Sequence, residues 1–316
     1  MKNWIMAVAA TSMLPGGLAL AQESESQADW YPSEYGADDR LGAVANLSPE
    51  KTAAAARLIT EGKTYALGQV TSRETPAYAP RRYDVYIMQP SDGSGTPMGE
   101  NLAVGNDDLV QTFVGIGSQI DGLGHMGVDH RYYNGVHVSD FVTPAGLTQF
   151  GTQDIPPIVT RGVLLDMTEI FDASPVADGT AFNRAEIDEA AERAGITIEK
   201  GDVVLFHTGA MAAAEGSTEL MATHPGLGVE GANYLADLGV VAIGADTAAL
   251  EAIPFENAAR PFEVHQTLLA KRGVYILENM VTTELAADDV TEFFFSLGIP
   301  RLNGTVQAMI NPIAIR

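Results

Sequence analysis

The sequence predicts an α/β fold, and three observations carry that expectation. Short β-branched runs alternate with amphipathic or alanine-rich stretches along most of the chain. Hydrophobic residues make up 46% and charged residues 19%, the balance of a globular protein with a sizeable core. No repeat, low-complexity tract or dividing linker interrupts the main body of the 316 residues, so it reads as one compact domain.

Taken in order, residues 1–21 read as a secretory signal. Lys2 is their one charge, an apolar stretch runs from Trp4 to Leu14, and Ala19-Leu20-Ala21 offers a small-x-small cleavage site. Residues 22–47 form an N-terminal leader and a loop-rich arm, and residues 48–316 the main domain. Ser48-Pro49-Glu50 starts a helix running to about Thr60, stopped by Gly62. Tyr65–Val70 and Tyr83–Met88 read as strands, with loops at 71–82 and 89–99. Gln111–Ile120 reads as one strand, and Ile158–Asp166 as another. Asn183 caps a helix through Ala194, which Gly195 ends. Asp202–His207, Val240–Gly244 and Val274–Leu277 are short strands. The helices Val229–Leu238 and Phe262–Arg272 lie between them, and Thr305–Ile315 is a final strand.

The net charge of −23 disfavours nucleic acid, whose phosphates would be repelled, and equally an anionic membrane surface. No apolar run reaches the length of a membrane helix. The absence of cysteine removes a thiol nucleophile and thiolate-bound zinc or iron–sulfur centres, so any metal site must use nitrogen and oxygen donors.

Two strings, Gly122–Gly127 and Gly226–Gly231, match the dinucleotide pattern G-x-G-x-x-G. The first runs into a polar stretch where a helix should begin, and the second follows His-Pro in a loop, so neither supports nucleotide binding. The G-x-S-x-G elbow and the HExxH zinc motif are both absent. Ser118–Gly135 is richer. It holds Gln119, Asp121, His125, Asp129 and His130 among glycines, a mixture of hard oxygen donors and imidazoles suited to a metal that polarises a carbonyl and activates water. His265 in a helix-like stretch and Glu278 at a strand end complete a candidate site with Asp121 and His125. His207, ending an apolar strand, reads as structural or pocket lining, His224 as a loop residue, and His130 and His137 as surface residues.

These residues resemble the cyclase-type metal-dependent hydrolases, which include kynurenine formamidase, isatin hydrolase and trans-dienelactone hydrolase. The family signature is close to H-x-G-T-H-x-D-x-P-x-H. Here the matching string is Gly115-Ile-Gly-Ser-Gln-Ile-Asp-Gly-Leu-Gly-His125. Gly115 stands at the first His, Gln119 at the second, Asp121 at the Asp and His125 at the last His. The longer branch of the family often carries Gln at the second position. Segments at 201–209, 224–227, 243–247, 263–265 and 277–280 extend the likeness over nearly the whole chain after the signal.

The resemblance implies an α/β fold with a mixed sheet or barrel-like core, helices outside, and a homodimer or homotetramer. It implies a divalent cation, Mn²⁺ or Zn²⁺, held by Gln119, Asp121, His265 and Glu278, with His125 as general base and then acid. The implied substrate is a small molecule with an amide, lactam or lactone carbonyl, with Trp30, Tyr132 and Tyr133 as pocket wall or as packing. The signal at 1–21, not the resemblance, leads us to expect a periplasmic or secreted protein. Gly115 and Gln119 keep open a second reading, a binding or scaffold protein whose metal site is lost; a third is a true cyclase or dehydratase acting on a polyketide-like substrate.

Overall fold

Nine strands form one mixed sheet in the computed structural model, which describes residues 29–88, 96–214, 217 and 221–316. The signal 1–21, most of the leader and part of the 89–99 loop lie outside the described residues. In chain order the strands are β1 (Thr64–Ala66), β2 (Tyr83–Met88), β3 (Asp107–Thr112), β4 (Gln119–Asp121), β5 (Val142–Thr143), β6 (Gly146–Leu147), β7 (Ile158–Asp166), β8 (Ala181–Phe182), β9 (Val203–His207), β10 (Gly226–Leu227), β11 (Ala242–Ala245), β12 (Tyr275–Glu278), β13 (Glu292–Leu297), β14 (Gln307–Met309) and β15 (Ile313–Ile315). The sheet order is β1-β15-β13-β7-β9-β11-β12-β4-β14.

Its centre, β7-β9-β11-β12, is parallel, and the flanking pairs are antiparallel. Parallel neighbours require crossover connections, and the helices supply them. These are α1 (Pro49–Ala55) before the sheet, then α2 (Met167–Phe171), α3 (Arg184–Ala194), α4 (Ala210–Ala213), α5 (Val229–Asp237), α6 (Glu263–His265) and α7 (Thr283–Ala287). Ser48 Oγ accepts the Lys51 N–H at the start of α1, and Asn183 with Glu186 forms a capping box on α3. Gly195 then ends α3 in the left-handed region, as its sequence predicts. Beyond α6 the helix widens to a π-helix over Gln266–Arg272, so the predicted single helix has two geometries.

The predicted strand Thr305–Ile315 is two strands. Pro312, which has no N–H to give a ladder, separates β14 from β15. In a flat sheet these would lie about 34 Å apart, at roughly 4.8 Å per strand. The chain from Met309 to Ile313 reaches at most about 14 Å. The sheet therefore curls until its ends approach, and the Leu67 carbonyl accepts the Val281 N–H just beyond β12. The result is a single α/β domain with a curled, half-barrel mixed sheet.

The predicted strand Gln111–Ile120 also divides. β3 pairs with β2 in a separate hairpin, and β4 joins the main sheet. Gly117, at φ +68°, turns the chain between them, a conformation open to glycine without strain. β13 has no counterpart among the strands expected from the sequence. Phe293, Phe295 and Leu297 alternate inward there, and Phe293 covers Gly162 on β7 so closely that a Cβ would fall 2.2 Å from its ring. Residues 42–44 of the arm are buried, and the Ala43 N–H donates to the Gly273 carbonyl. Among the described residues no helix is long and apolar enough to cross a membrane.

Candidate metal centre

Strand register builds the centre. Successive side chains on a strand alternate between faces, so Gln119 and Asp121 point the same way from β4 while Ile120 enters the opposite layer. Across β12, Gln119 stands opposite Glu278. Across β14, Asp121 stands opposite Gln307. The Asn279 amide donates to the Gly117 carbonyl and Ser118 Oγ donates to the Asn279 carbonyl, tying the end of β12 to the entry of β4. After β4 the chain turns at Gly122, whose carbonyl accepts the His125 N–H, and buried Leu123 anchors that turn. A Cβ on Gly122 would lie 2.7 Å from the Val306 carbonyl, so the turn fits tightly against the segment leading into β14.

All five residues singled out from the sequence converge. Asp121 Oδ2 lies 3.5 Å from His265 Nε2 and 3.8 Å from His125 Nε2. Glu278 Oε1 lies 3.2 Å from His265 Nε2. Gln119 Nε2 donates to Glu278 Oε2 at 2.7 Å and to Asp121 Oδ1 at 3.3 Å. The Gln119 amide therefore bridges the two carboxylates through its nitrogen. Ligand atoms of Asp121, His125 and His265 fall within 4.8 Å of one another, which adds His125 to the groups able to hold a cation.

Two further residues join them. Gln307 Nε2 donates to Asp121 Oδ1 at 2.7 Å. A Cβ on Gly115 would come 2.2 Å from Gln307 Oε1, so Gln307 fills the space a side chain at 115 would need. Glu251, fully enclosed, takes His265 Nδ1 at 2.6 Å and also accepts the His265 backbone N–H. Such a carboxylate fixes the ring's orientation and turns Nε2 towards Asp121 and Glu278. Neither residue carried a signal in the sequence, since each acts only through a partner that folding brings to it.

Burial and charge set the protonation states. Burial alone would drive His265 down, but the carboxylates of Asp121, Glu251 and Glu278 outweigh it and hold the ring well above the usual imidazole range. Burial pushes Asp121 up, yet His125, His265 and the Gln307 amide pull it below the usual carboxylate range. Burial and the Asp121 charge raise Glu278. Burial lowers His125, leaving that ring neutral at pH 7.

Asp121 Oδ2 is the telling atom. It is buried and has no hydrogen-bond partner, yet it faces two imidazole nitrogens. A bare buried carboxylate oxygen is costly unless a cation or donor satisfies it. The donor set of carboxylate oxygens and imidazole nitrogens, with no thiolate, fits a divalent first-row ion. Glu251→Ala is expected to weaken binding of that ion by about 10–100-fold, the usual cost of losing a partner behind a ligand. Metal titration of variant and wild type measures it, and unchanged affinity would reduce Glu251 to a helix cap.

His207 ends β9 with Nδ1 on Thr282 Oγ1 at 2.7 Å. His224 lies outside the named strands and helices, as a loop residue, but is wholly buried, and its segment bridges Ile253. Tyr133 is core packing: its hydroxyl donates to Asp39 and its ring meets Phe150 edge-on. Tyr132 packs edge-on against Phe141, and Trp30 against Tyr31.

The Cyclase family model matches residues 65–252, which include Gln119, Asp121, His125 and Glu251. A crystal structure described as a novel cyclase is similar, with 27% identity over 89% of this chain and 96% of that one, at a TM-score of 0.80. An isatin hydrolase bound to the product analogue thioisatinate shares the fold at 15% identity, covering 85% of this chain and 98% of that one, TM-score 0.59. A predicted metal-dependent hydrolase from Bacillus stearothermophilus shares it at 18% identity, covering 81% and 98%, TM-score 0.50. No curated protein matches the sequence significantly. With more than half of its length matched by the family model, the chain belongs to the cyclase family.

Proposed function

We propose that this protein is a metal-dependent hydrolase of a small molecule, opening an amide, lactam or lactone bond. The observation that carries the reading is Asp121 Oδ2, buried without a hydrogen-bond partner between two imidazoles. Family membership and a fold shared with an isatin hydrolase support it. Asp121, His265 and Glu278 would hold the ion, Mn²⁺ or Zn²⁺, with Gln119 bracing both carboxylates. When bound, such an ion polarises a carbonyl and lowers the pKa of water.

The protein's own groups do the rest. Glu251 holds the His265 ring in place. His125, neutral and the most exposed member of the cluster, accepts a proton from water and returns it to the departing nitrogen or oxygen. Retention of all these groups favours a working centre over a binding protein with a lost site. We extend the reading to a secreted or periplasmic enzyme, from the signal at 1–21, acting as a homodimer or homotetramer. Purified protein loaded with Mn²⁺ or Zn²⁺ should hydrolyse at least one class among N-formyl arylamines, cyclic amides and lactones, and a chelator should stop it. Full metal occupancy without hydrolysis of any class would refute the reading.

A further inference from the structure

Residues 69–82 run beside the segment that leads into β4. The Gln69 N–H donates to Ser118 Oγ at 2.8 Å, and Arg81 Nη1 donates to the Gly115 carbonyl at 2.5 Å. Between them the Tyr78 carbonyl accepts the Arg81 N–H, closing a turn. That turn packs Tyr78 against the patch formed by Ala210, Ala248, Met211 and Met221.

The Tyr78 hydroxyl is buried and has no hydrogen-bond partner. Burial pushes this phenol up to about 12, the charges of Glu278 and Glu251 add to the rise, and Arg81 opposes it. Glu278 is a member of the centre and Glu251 stands directly behind His265. The Asn279 N–H, one residue beyond Glu278, donates to the Thr247 carbonyl at 2.9 Å, and Tyr78 packs on the adjacent Ala248, so the ring lies beside the end of β12. Thr247 Oγ1, next to Ala248 of the same patch, is also buried and unpartnered. Native proteins seldom leave such hydroxyls unsatisfied, and a ligand is one standard explanation.

We propose that the Tyr78 hydroxyl donates a hydrogen bond to the oxygen of the substrate carbonyl under attack, while the Ala210–Met211–Met221–Ala248 wall receives a flat apolar part of the substrate. The proposal rests on the hydrolase reading and deepens it. Water oxygen bonds to the carbonyl carbon as the π pair moves onto oxygen, where the phenol meets the developing charge. That pair then re-forms the double bond as the C–N or C–O bond breaks, and the leaving atom takes the proton that water gave up. Tyr78 keeps its own proton throughout. Small alanines and pliable methionines suit a ring of this kind.

Tyr78→Phe in the metal-loaded full chain tests it. Loss of one such donor should lower kcat by about 10²-fold or more, with KM and cation affinity near wild type. The thermal midpoint should hold or rise, because the variant no longer buries an unsatisfied hydroxyl. A purely structural tyrosine would show the reverse, a lower midpoint with kcat little changed, and that result would overturn the proposal. If the wild type hydrolyses nothing, the hydrolase reading fails by itself and Tyr78 is judged by binding. Benzoate, a flat ring bearing acceptor oxygens, should then bind the loaded wild type roughly tenfold more tightly than the variant, a typical cost of losing one hydrogen bond. Equal affinity, or no binding to wild type, would overturn it.

Discussion

Asp121→Ala should strip the centre of its cation and with it all turnover. No other substitution removes as much. Asp121 is fully buried, and its two oxygens have separate duties. Oδ1 is held by the Gln307 and Gln119 amides, which leaves Oδ2 pointing at His265 and His125. Without the carboxylate, the two imidazoles keep only Glu278 as a ligand-bearing acid among the residues named. The affinity loss should exceed the roughly 10–100-fold that follows from removing an outer partner. Asp121→Asn separates charge from shape, since its side-chain oxygen still receives the Gln307 amide; it should also bind metal poorly while keeping the fold. Metal content per chain and the far-ultraviolet circular dichroism spectrum, taken on one preparation, check both. Wild-type occupancy and activity in Asp121→Ala would place the ion elsewhere.

His125→Ala should cost about 10²–10⁴-fold in turnover, the range typical of a general acid–base group. Its side chain is 20% exposed while those of Asp121 and His265 are at 0% and 3%, so it is the member of the cluster that meets a substrate arriving from solvent. It stands farther from Asp121 Oδ2 than His265 does, at 3.8 Å against 3.5 Å. As a proton carrier it should be dispensable for the ion, so the variant should keep most of its metal. Loss of metal would make His125 a ligand, as its place within the 4.8 Å cluster also allows. The pH profile carries a sign. Burial lowers the pKa of His125, so the ring is an available base at neutral pH and loses that role only when acid protonates it. Wild-type turnover should therefore fall along an acid limb lying below the ordinary imidazole range, and His125→Ala should lack that limb.

Much of the centre was legible because its chemistry is packed into short spans. Gln119, Asp121 and His125 occupy seven positions, and period two on β4 places the first two on one face. His265 and Glu278 could be named from a helix-like stretch and a strand end, but on spacing alone they were only candidates. Their closeness to Asp121 depends on β12 lying beside β4 in a register that pairs Glu278 with Gln119. The division of 111–120 and of 305–315 into separate strands was not legible. Periodicity reports which face is apolar and is silent about which neighbour a strand joins.

By itself, the sequence determined the α/β alternation, the helix caps at Ser48 and Asn183, the absence of thiolate chemistry and the residue types of the centre. These are local properties, written in propensity, periodicity and composition. Tertiary structure alone decided that the sheet curls until β14, at one edge, and β15, one strand in from the other, can be joined by a few residues. It likewise decided that Gln307 braces Asp121 across 186 positions, that Glu251 stands behind His265, and that the Gln119 amide turns its nitrogen to both carboxylates. The physical reason is the same in each case. A buried polar atom must be matched by some partner, but which partner reaches it is set by strand register and chain closure, not by its neighbours in sequence.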